Sequence, residues 1–527
     1  MTLAPRILVN FLAGLRTARF AKKLQQTGDG LAAQKIIFTN LLASLSRSQL
    51  GQRQGLHPGF DYDSFRQSQP LVEHAHYEPF IAAMAGGETD VLWPGRCSFF
   101  VKTAGTTTGT PRLLPITSEL LANYHAGISA ATFIHARDAG HAGVFLGRHL
   151  QIGASTKLDE ATGSYTGNFE ALTHLALSPW VEANLYSPPS KLAQLPDGPA
   201  RTAAIADAML SHDVTLVGGK PTALRLFTDT IRTRGTRGKA RLTTLQSLWP
   251  NLECYLHTGA PLGLLAHELP GLVGHHVTFR EVYAAAEGWF AVQDGQPADG
   301  LRLLTDAGIF FEFLPMADYD DTLPAHLGRA CLPLAQVKIG VDYALVITTP
   351  AGLCRYVVGD IVRFVSLEIP HLHFVGRIRL QLASFDEQVS ERELNDSLLE
   401  VCAKHDWVPV NFHVAPYLLR AGPNSRGGHE WWVELRPGTV KTPTGPLLAD
   451  ELDTVLARLN PLYRQLRETG GIEPPLVRLV MPGVFEQWAR KHPIQSGGGL
   501  PCCRPDRLIA DQLTILTRFH AGEAIIG

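Results

Sequence analysis

The strongest chemical signal in the chain is Thr103-Ala-Gly-Thr-Thr-Thr-Gly-Thr-Pro-Arg112, which follows the apolar run Ser98-Phe-Phe-Val101. Gly105 and Gly109 let the backbone turn so that its N–H groups face into a concavity. Thr103, Thr106, Thr107 and Thr108 add hydroxyl donors. A strand that runs into such a loop can cradle a polyphosphate. It is not a Walker A loop, because no Gly-Lys-Ser/Thr closes it. Taken by itself, the segment reads equally well as a Thr/Gly-rich surface loop.

The elements that would position this loop follow from pattern. A chain of 527 residues exceeds one hydrophobic core, so two or more domains are expected. Residues 1 to 90 read as largely helical, with a break at 51–59. From Cys97 to Val375 short apolar runs alternate with helical stretches. The runs are CSFFV, AGVFLG, VTLVGG, LECYLHTG, HVTFREVYA, GIFFEFLP, YALVITT and LHFVG. This pattern predicts an α/β fold of sheets covered by helices. A polar stretch at 377–391 precedes a helix at 391–405, strands at 408–415 and 429–435, and a helix at 447–469. The expected division is a large domain, 1–378, and a small α+β domain, 379–527. The short linker lacks a Gly/Ser tract and would act as a hinge.

Composition narrows the function. The chain carries 47 Lys+Arg against 49 Asp+Glu, so no basic excess points to nucleic acid. No apolar run is long enough to span a bilayer. The apolar N-terminal stretch is broken by Arg6, Asn10, Arg16 and Arg19. It reads as an amphipathic helix and not as a signal peptide, with contact to a membrane surface as the minor alternative. The seven Cys are scattered and form no CxxC pair, which argues for reduced thiols and a cytoplasmic setting over a zinc site or a disulfide framework.

The loop Thr103–Arg112 resembles the (T/S)SGTTGxPK signature of the acyl-adenylate-forming superfamily, with Ala104 in place of Ser and Arg112 in place of Lys. Its continuation Leu113-Leu114-Pro115 is similar to that of the auxin-responsive promoter family, the acyl acid–amido synthetases. Further elements follow in that family's order. Thr258-Gly-Ala-Pro-Leu262 resembles GGAPL, and Tyr283-Ala-Ala-Ala-Glu-Gly-Trp-Phe290 resembles Y(A/G)xSEG(W/F)F. Phe311-Glu-Phe-Leu-Pro315, Leu353-Cys-Arg-Tyr-Val-Val-Gly-Asp360 and Phe374-Val-Gly-Arg377 resemble FEFIP, GLYRYRxGD and FxGR. Asn460-Pro-Leu-Tyr463 and Pro482-Gly-Val-Phe485 resemble elements of its C-terminal domain. The resemblance spans nearly the whole chain. It implies a luciferase-like architecture and an ATP- and Mg²⁺-dependent ligase. Such an enzyme adenylates a small carboxylic acid and passes the acyl group to an amine, an amino acid in this family's chemistry.

The resemblance also implies roles. Thr103, Ala104, Gly105, Thr106, Thr107, Thr108 and Gly109 would hold the phosphates. Glu287 would hold Mg²⁺, since one carboxylate plus phosphate oxygens suits that ion. Tyr283 would pack on the adenine, with Ala284, Ala285 and Ala286 along the nucleotide. Asp360 would accept the ribose hydroxyls, with Arg377 approaching from the other side. Gly259 and Ala260 would wall the acyl pocket, and Trp180 is a candidate liner.

One family feature is missing. A C-terminal Lys would normally swing over the α-phosphate, and Pro501 stands at its position. Lys491 and Arg504 are the nearest substitutes. Loss of such a donor costs about 10²–10³ in rate. An acid–thiol (CoA) ligase, a diverged acyltransferase and a non-catalytic nucleotide-binding protein therefore remain as alternatives. Asp396-Ser-Leu-Leu399 resembles a carrier-attachment segment but falls within an expected helix.

Overall fold

The computed structural model describes residues 6–26, 30–103, 112–235, 243–258, 265–420, 426–438, 443–492 and 502–520. Its centre is a twelve-stranded sheet. One half is parallel: Tyr186–Ser187, Arg148–Ile152, Val214–Gly219, Cys254–His257 and Thr278–Ala285. The other half is antiparallel and continues through Gly288–Val292, Leu301–Leu303, His371–Arg377, Tyr356–Ser366, Asp342–Thr348, Phe310–Pro315 and Leu332–Pro333. A four-stranded sheet holds Phe99–Lys102, the strand that leads into the Thr-rich loop.

The parallel strands are apolar on both faces. Val214–Gly219 and Cys254–His257 are buried along their whole length, as expected where helices cover both sides of a sheet. Two apolar cores result. One gathers Leu150, Val217 and Tyr255 beneath the helices around Phe227 and Leu269. The other gathers Leu216, Leu256 and Phe290 with the helix Ser118–Ala139.

Beyond Arg377 the chain builds separate cores. The helix Glu391–Lys404 and the helices Gly445–Leu459 and Pro461–Thr469 pack on a three-stranded sheet of Pro409–Arg420, Arg426–Leu435 and Leu476–Val480. On the sheet's other side, Trp432 and Trp488 pack with Leu513.

The structure differs from the sequence expectations at several elements. The run AGVFLG is a 3-10 turn, Gly143–Leu146, and the strand lies just after it at Arg148–Ile152. That strand buries Leu150 and Ile152 while Arg148, His149 and Gln151 are only partly covered, so its apolar signal is thin. The stretch 447–469 is two helices. Pro461 cannot supply the N–H that would continue the first. The Asn460 side chain instead accepts from the Tyr463 N–H at 2.8 Å and caps the second. Asp360 lies within the strand Tyr356–Ser366, where Gly359 takes φ +92° and the register with Asp342–Thr348 slips.

Candidate active site

The strand Thr278–Ala285 pairs parallel with Cys254–His257 on one side and antiparallel with Gly288–Val292 on the other. The sheet changes character there. Crevices at the carboxyl ends of parallel strands, where strand order turns, are the usual ligand sites of α/β sheets. Tyr283 and Ala285 lie near that end. Ala286 and Glu287 form the two-residue tip of a tight hairpin, since Gly288 pairs directly with Ala285.

The helix Ser118–Ala139 fixes this hairpin. The Asn123 amide donates to Trp289 O at 3.1 Å and accepts from Trp289 N at 2.7 Å. The buried Tyr124 hydroxyl donates to Ala285 O. Helix and hairpin touch because residue 127 is Gly; a Cβ there would lie 2.2 Å from the Trp289 ring.

Glu287 is 9% exposed. Among the described residues, the side chain that donates to its carboxylate is Tyr356, whose hydroxyl lies 3.3 Å from Oε1. Burial pushes its pKa up to about 7. Asp360 nearby adds to the shift, and the Tyr356 hydroxyl and Arg112 guanidinium act against it. A buried carboxylate so weakly compensated is a good receptor for a cation. No cluster of three or more His, Cys, Asp or Glu suited to a metal occurs among the described residues. One buried, weakly compensated carboxylate is a donor set that would fit Mg²⁺, which takes one or two carboxylates and completes its shell with phosphate oxygens and water.

Arg112 stands at the root of the Thr-rich loop. Its backbone N–H donates to Thr103 Oγ1 at 3.1 Å, and Thr103 N–H donates to Arg112 O at 2.9 Å. These bonds close the base of the loop. Ala104, Gly105, Thr106, Thr107, Thr108 and Gly109 lie outside the described residues, as do Gly259, Ala260 and Pro501.

The second carboxylate is Asp360, also 9% exposed. Its Oδ2 accepts from the Tyr283 hydroxyl at 2.7 Å, and Arg377 Nε lies 3.8 Å from Oδ1. Asp360 and Arg377 are register partners across neighbouring strands, so the pairing follows from the sheet. Burial raises the Asp360 carboxyl, while Arg377 and the Tyr283 hydroxyl pull it back. The Tyr283 ring packs edge-on against Phe290 and Phe374, at 5.0 and 5.6 Å between centroids.

The small domain reaches this cluster through Glu391, the first residue of its first helix. Burial raises the Glu391 carboxyl. Arg377 opposes this, Asp360 adds to it, and the backbone N–H groups of Cys502 and Arg377 oppose it. The segment after Pro501 is thus docked beside the site. Val414 N–H donates to Cys502 O at 2.8 Å, Arg504 N–H donates to Val414 O at 3.0 Å, and Cys503 Sγ donates to Leu380 O at 2.7 Å.

The structure therefore brings together Tyr283, Glu287, Asp360 and Arg377, with Ala285 and Ala286 on the connecting hairpin. Lys491 is exposed at the far end of the helix Val484–Lys491. Arg504 is mostly covered, with Nη1 3.5 Å from Asp506. Trp180 is 45% exposed, on the short helix Pro179–Asn184. Ser397 is buried and donates to Leu394 O at 2.8 Å, so Asp396–Leu399 presents no hydroxyl for a carrier group.

Pattern reasoning missed Tyr356, Glu391 and Tyr124. It also missed why Phe311–Pro315 and Leu353–Asp360 occur together. Glu312 and Arg355, one from each, form a fully buried ion pair with Arg355 Nη2 2.8 Å from Oε1. Arg355 also donates to Gln69 O and Gly328 O at 2.6 and 2.7 Å. The pair braces the strand that carries Tyr356 and Asp360. A signal for it was present: an Arg and a Glu each set among apolar residues need one another.

Solved structures that share the fold are adenylate-forming enzymes. An acyl acid amido synthetase, GH3.15, matches with a TM-score of 0.70 at 18% identity, over 98% of this chain and 97% of that one. A 2-hydroxyisobutyryl-CoA ligase in its postadenylation state matches with a TM-score of 0.57 at 13% identity, over 92% and 90%. The fold is thus that of adenylate-forming enzymes, a large domain of helix-covered sheets followed by a smaller one. The chain belongs to the GH3 family, whose N-terminal, central and C-terminal domain models match residues 20–218, 302–377 and 392–511. Among curated relatives, a probable indole-3-acetic acid-amido synthetase of Arabidopsis thaliana is 24% identical over 90% of this chain and 88% of its own length. An indole-3-acetic acid-amido synthetase of Oryza sativa subsp. indica is 31% identical over 46% and 41%.

Proposed function

We propose that this chain is an ATP-dependent ligase that activates a carboxylic acid as its acyl-adenylate and transfers the acyl group to an amine, with an amino acid as the acceptor. The observation that carries the reading is the meeting of Glu287 and Asp360. They are far apart in sequence, yet each is buried, and the Tyr356 hydroxyl bound to Glu287 lies on the same strand as Asp360. Two carboxylates are held together at such cost where a nucleotide and its cation will neutralise them.

In this reading Tyr283 packs on the adenine. Asp360 accepts the ribose hydroxyls, helped by Arg377. The loop Thr103–Gly109 donates to the phosphates, and Glu287 holds Mg²⁺. That ion, when bound, offsets charge on the phosphate oxygens. Ala285 and Ala286 run along the nucleotide, and Gly259 with Ala260 walls the acyl pocket.

The acid's carboxylate oxygen attacks the α-phosphorus, and pyrophosphate leaves. The amine nitrogen then attacks the acyl carbon; AMP leaves and the amine loses a proton. Both steps build charge that preorganised donors stabilise.

Pro501 cannot supply the usual cation. Arg112 can. It lies beside Glu287 and Tyr356 on the large domain and is always charged. Adenylation would then depend less on rotation of the small domain about the hinge near Arg379.

The test is ATP–pyrophosphate exchange across a panel of aryl, indolyl and fatty acids, followed by amide detection with mixed amino acids. Exchange that depends on one acid class, with an amide formed on adding amino acids, is the expected result. Nucleotide binding without exchange for any acid would overturn the reading in favour of a non-catalytic nucleotide-binding protein. A product formed only with a thiol acceptor would replace the amine.

A further inference from the structure

The helix Arg6–Gln26 presents two apolar faces, and only one of them is used by the fold. Toward the body, Ala13 and Thr17 are buried and Phe20 stacks on Phe133 with centroids 5.5 Å apart. The helix is fastened at its far end. Arg302 Nη2 donates to Leu24 O at 2.9 Å, and Lys23 pairs with Asp306 at 2.9 Å.

The outward face carries Ile7, Leu8, Phe11, Leu12 and Leu15. Ile7 is 85% exposed, Phe11 63%, and the others are between 44% and 49%. At 100° per residue, Ile7, Leu8, Phe11 and Leu15 fall on one stripe opposite the buried one. Isolated exposed apolar side chains need no explanation, but a contiguous stripe marks a contact surface.

Charge identifies the contact. The helix holds Arg6, Arg16, Arg19, Lys22 and Lys23 and no acidic residue. The rest of the chain has 42 Lys+Arg against 49 Asp+Glu, a net charge of −7. The sign of the helix thus opposes that of the molecule. Two copies of the chain would bring five cations against five, which disfavours self-pairing through this face. The ridge is convex, and its apolar end precedes its basic end. A soft, anionic surface accepts that shape without needing a complementary groove.

We propose that the helix Arg6–Gln26 docks the enzyme on an anionic lipid surface. Ile7, Leu8, Phe11 and Leu15 enter the acyl boundary, and Arg16, Arg19 and Lys22 lie at headgroup level. The helix lies along the surface: no helix among the described residues is long and apolar enough to cross a membrane. Its rigid attachment to the helix Ser118–Ala139 would hold the catalytic domain in one orientation on the surface.

The test is flotation of the full chain with phosphatidylcholine vesicles, with and without about a third phosphatidylglycerol. Anionic vesicles should bind the wild type at least about tenfold more than neutral ones. High salt should weaken this by a similar factor, and each of Arg16→Gln and Arg19→Gln should weaken it about fivefold. The combined Leu8→Asp, Phe11→Asp change should abolish flotation while leaving thermal stability and pyrophosphate exchange at wild-type values, because both side chains face solvent. Three results would overturn the proposal: no preference for anionic vesicles, flotation unaffected by the Asp changes, or equal competition by a soluble acidic peptide. The last would assign the face to an acidic protein partner.

Discussion

The two sides of the candidate site are built differently. On the large domain, Tyr356, Asp360 and Arg377 sit on two paired strands, and Asp360 faces Arg377 because those strands align there. Tyr283 and Glu287 come from a hairpin elsewhere in the same sheet and are joined to them by the Tyr283–Asp360 and Tyr356–Glu287 hydrogen bonds. On the small domain, Glu391 is the first residue of a helix, and Cys502–Arg504 pair with Val414 beside the segment that carries Pro501. The first side is preorganised by hydrogen-bonded strands. The second depends on how one domain is docked on the other. Catalytic charge placed on the first side needs no rearrangement when the reaction occurs, which is the role proposed for Arg112.

The largest effects should therefore come from the large-domain side. Glu287→Gln keeps the Tyr356 contact but removes the charge, and should lower acid-dependent pyrophosphate exchange by about 10³. Arg112→Met should lower the same rate by about 10²–10³, while transfer from a supplied acyl-adenylate to the amine stays within about threefold. A loss of both half-reactions together would make Arg112 a brace for the loop. Arg112→Lys, which restores charge but not the planar fork, should recover part of the rate.

A smaller effect is expected at Tyr283. Tyr283→Phe keeps the ring but deletes the 2.7 Å bond to Asp360. A charge-assisted bond of this kind contributes about 1–2 kcal/mol. The KM for ATP should rise roughly five- to tenfold, with kcat changed little, because the ribose contact is made equally in ground and transition states.

Acid should act on the parallel half of the sheet. Burial holds His149 near a pKa of about 4 and His257 near about 3, below the ordinary 6.5. Both are neutral when folded and take up protons when unfolded. Their contribution is present above about pH 6.5 and is lost as pH falls from there toward 4 and 3. Urea midpoints should fall across that window. His257→Asn should make the fall shallower, since the buried Nδ1 of His257 has no hydrogen-bond partner among the described residues. Equal slopes for the two proteins would assign the acid sensitivity elsewhere.

What could be read in the sequence divides along the same line. Glu287 and Asp360 were legible because each falls within a distinctive short motif beside apolar residues, although Glu287 tips a hairpin while Asp360 lies inside its strand. Tyr356 was not, since an aromatic residue in a strand reads as core and only the fold reveals Glu287 above its hydroxyl. Glu391 opens a helix with a capping box at Ser390 and Glu393. Its sequence signal is that of a helix start, while its burial beside Arg377 arises from domain docking. The run AGVFLG misled because apolar content alone cannot tell a 3-10 turn from a strand.

The smallest effect expected is at the residues nearest in sequence to the missing lysine. Lys491 ends a helix whose Trp488 donates to Gln512 at 2.8 Å, so its base is anchored to the helix Leu508–His520. Arg504 follows the short pairing of Cys502–Cys503 with Val414 and lies 3.5 Å from Asp506. To replace a phosphate-directed lysine, either side chain would have to leave these attachments or carry them along. Arg112 is already beside Glu287. Lys491→Met and Arg504→Met should each leave pyrophosphate exchange within about threefold of wild type, against the 10²–10³ of Arg112→Met. A hundredfold loss at Lys491 with only a minor loss at Arg112 would reverse the comparison. The preorganised strands would then supply nucleotide binding alone, and the small domain would deliver the cation by rotation after all.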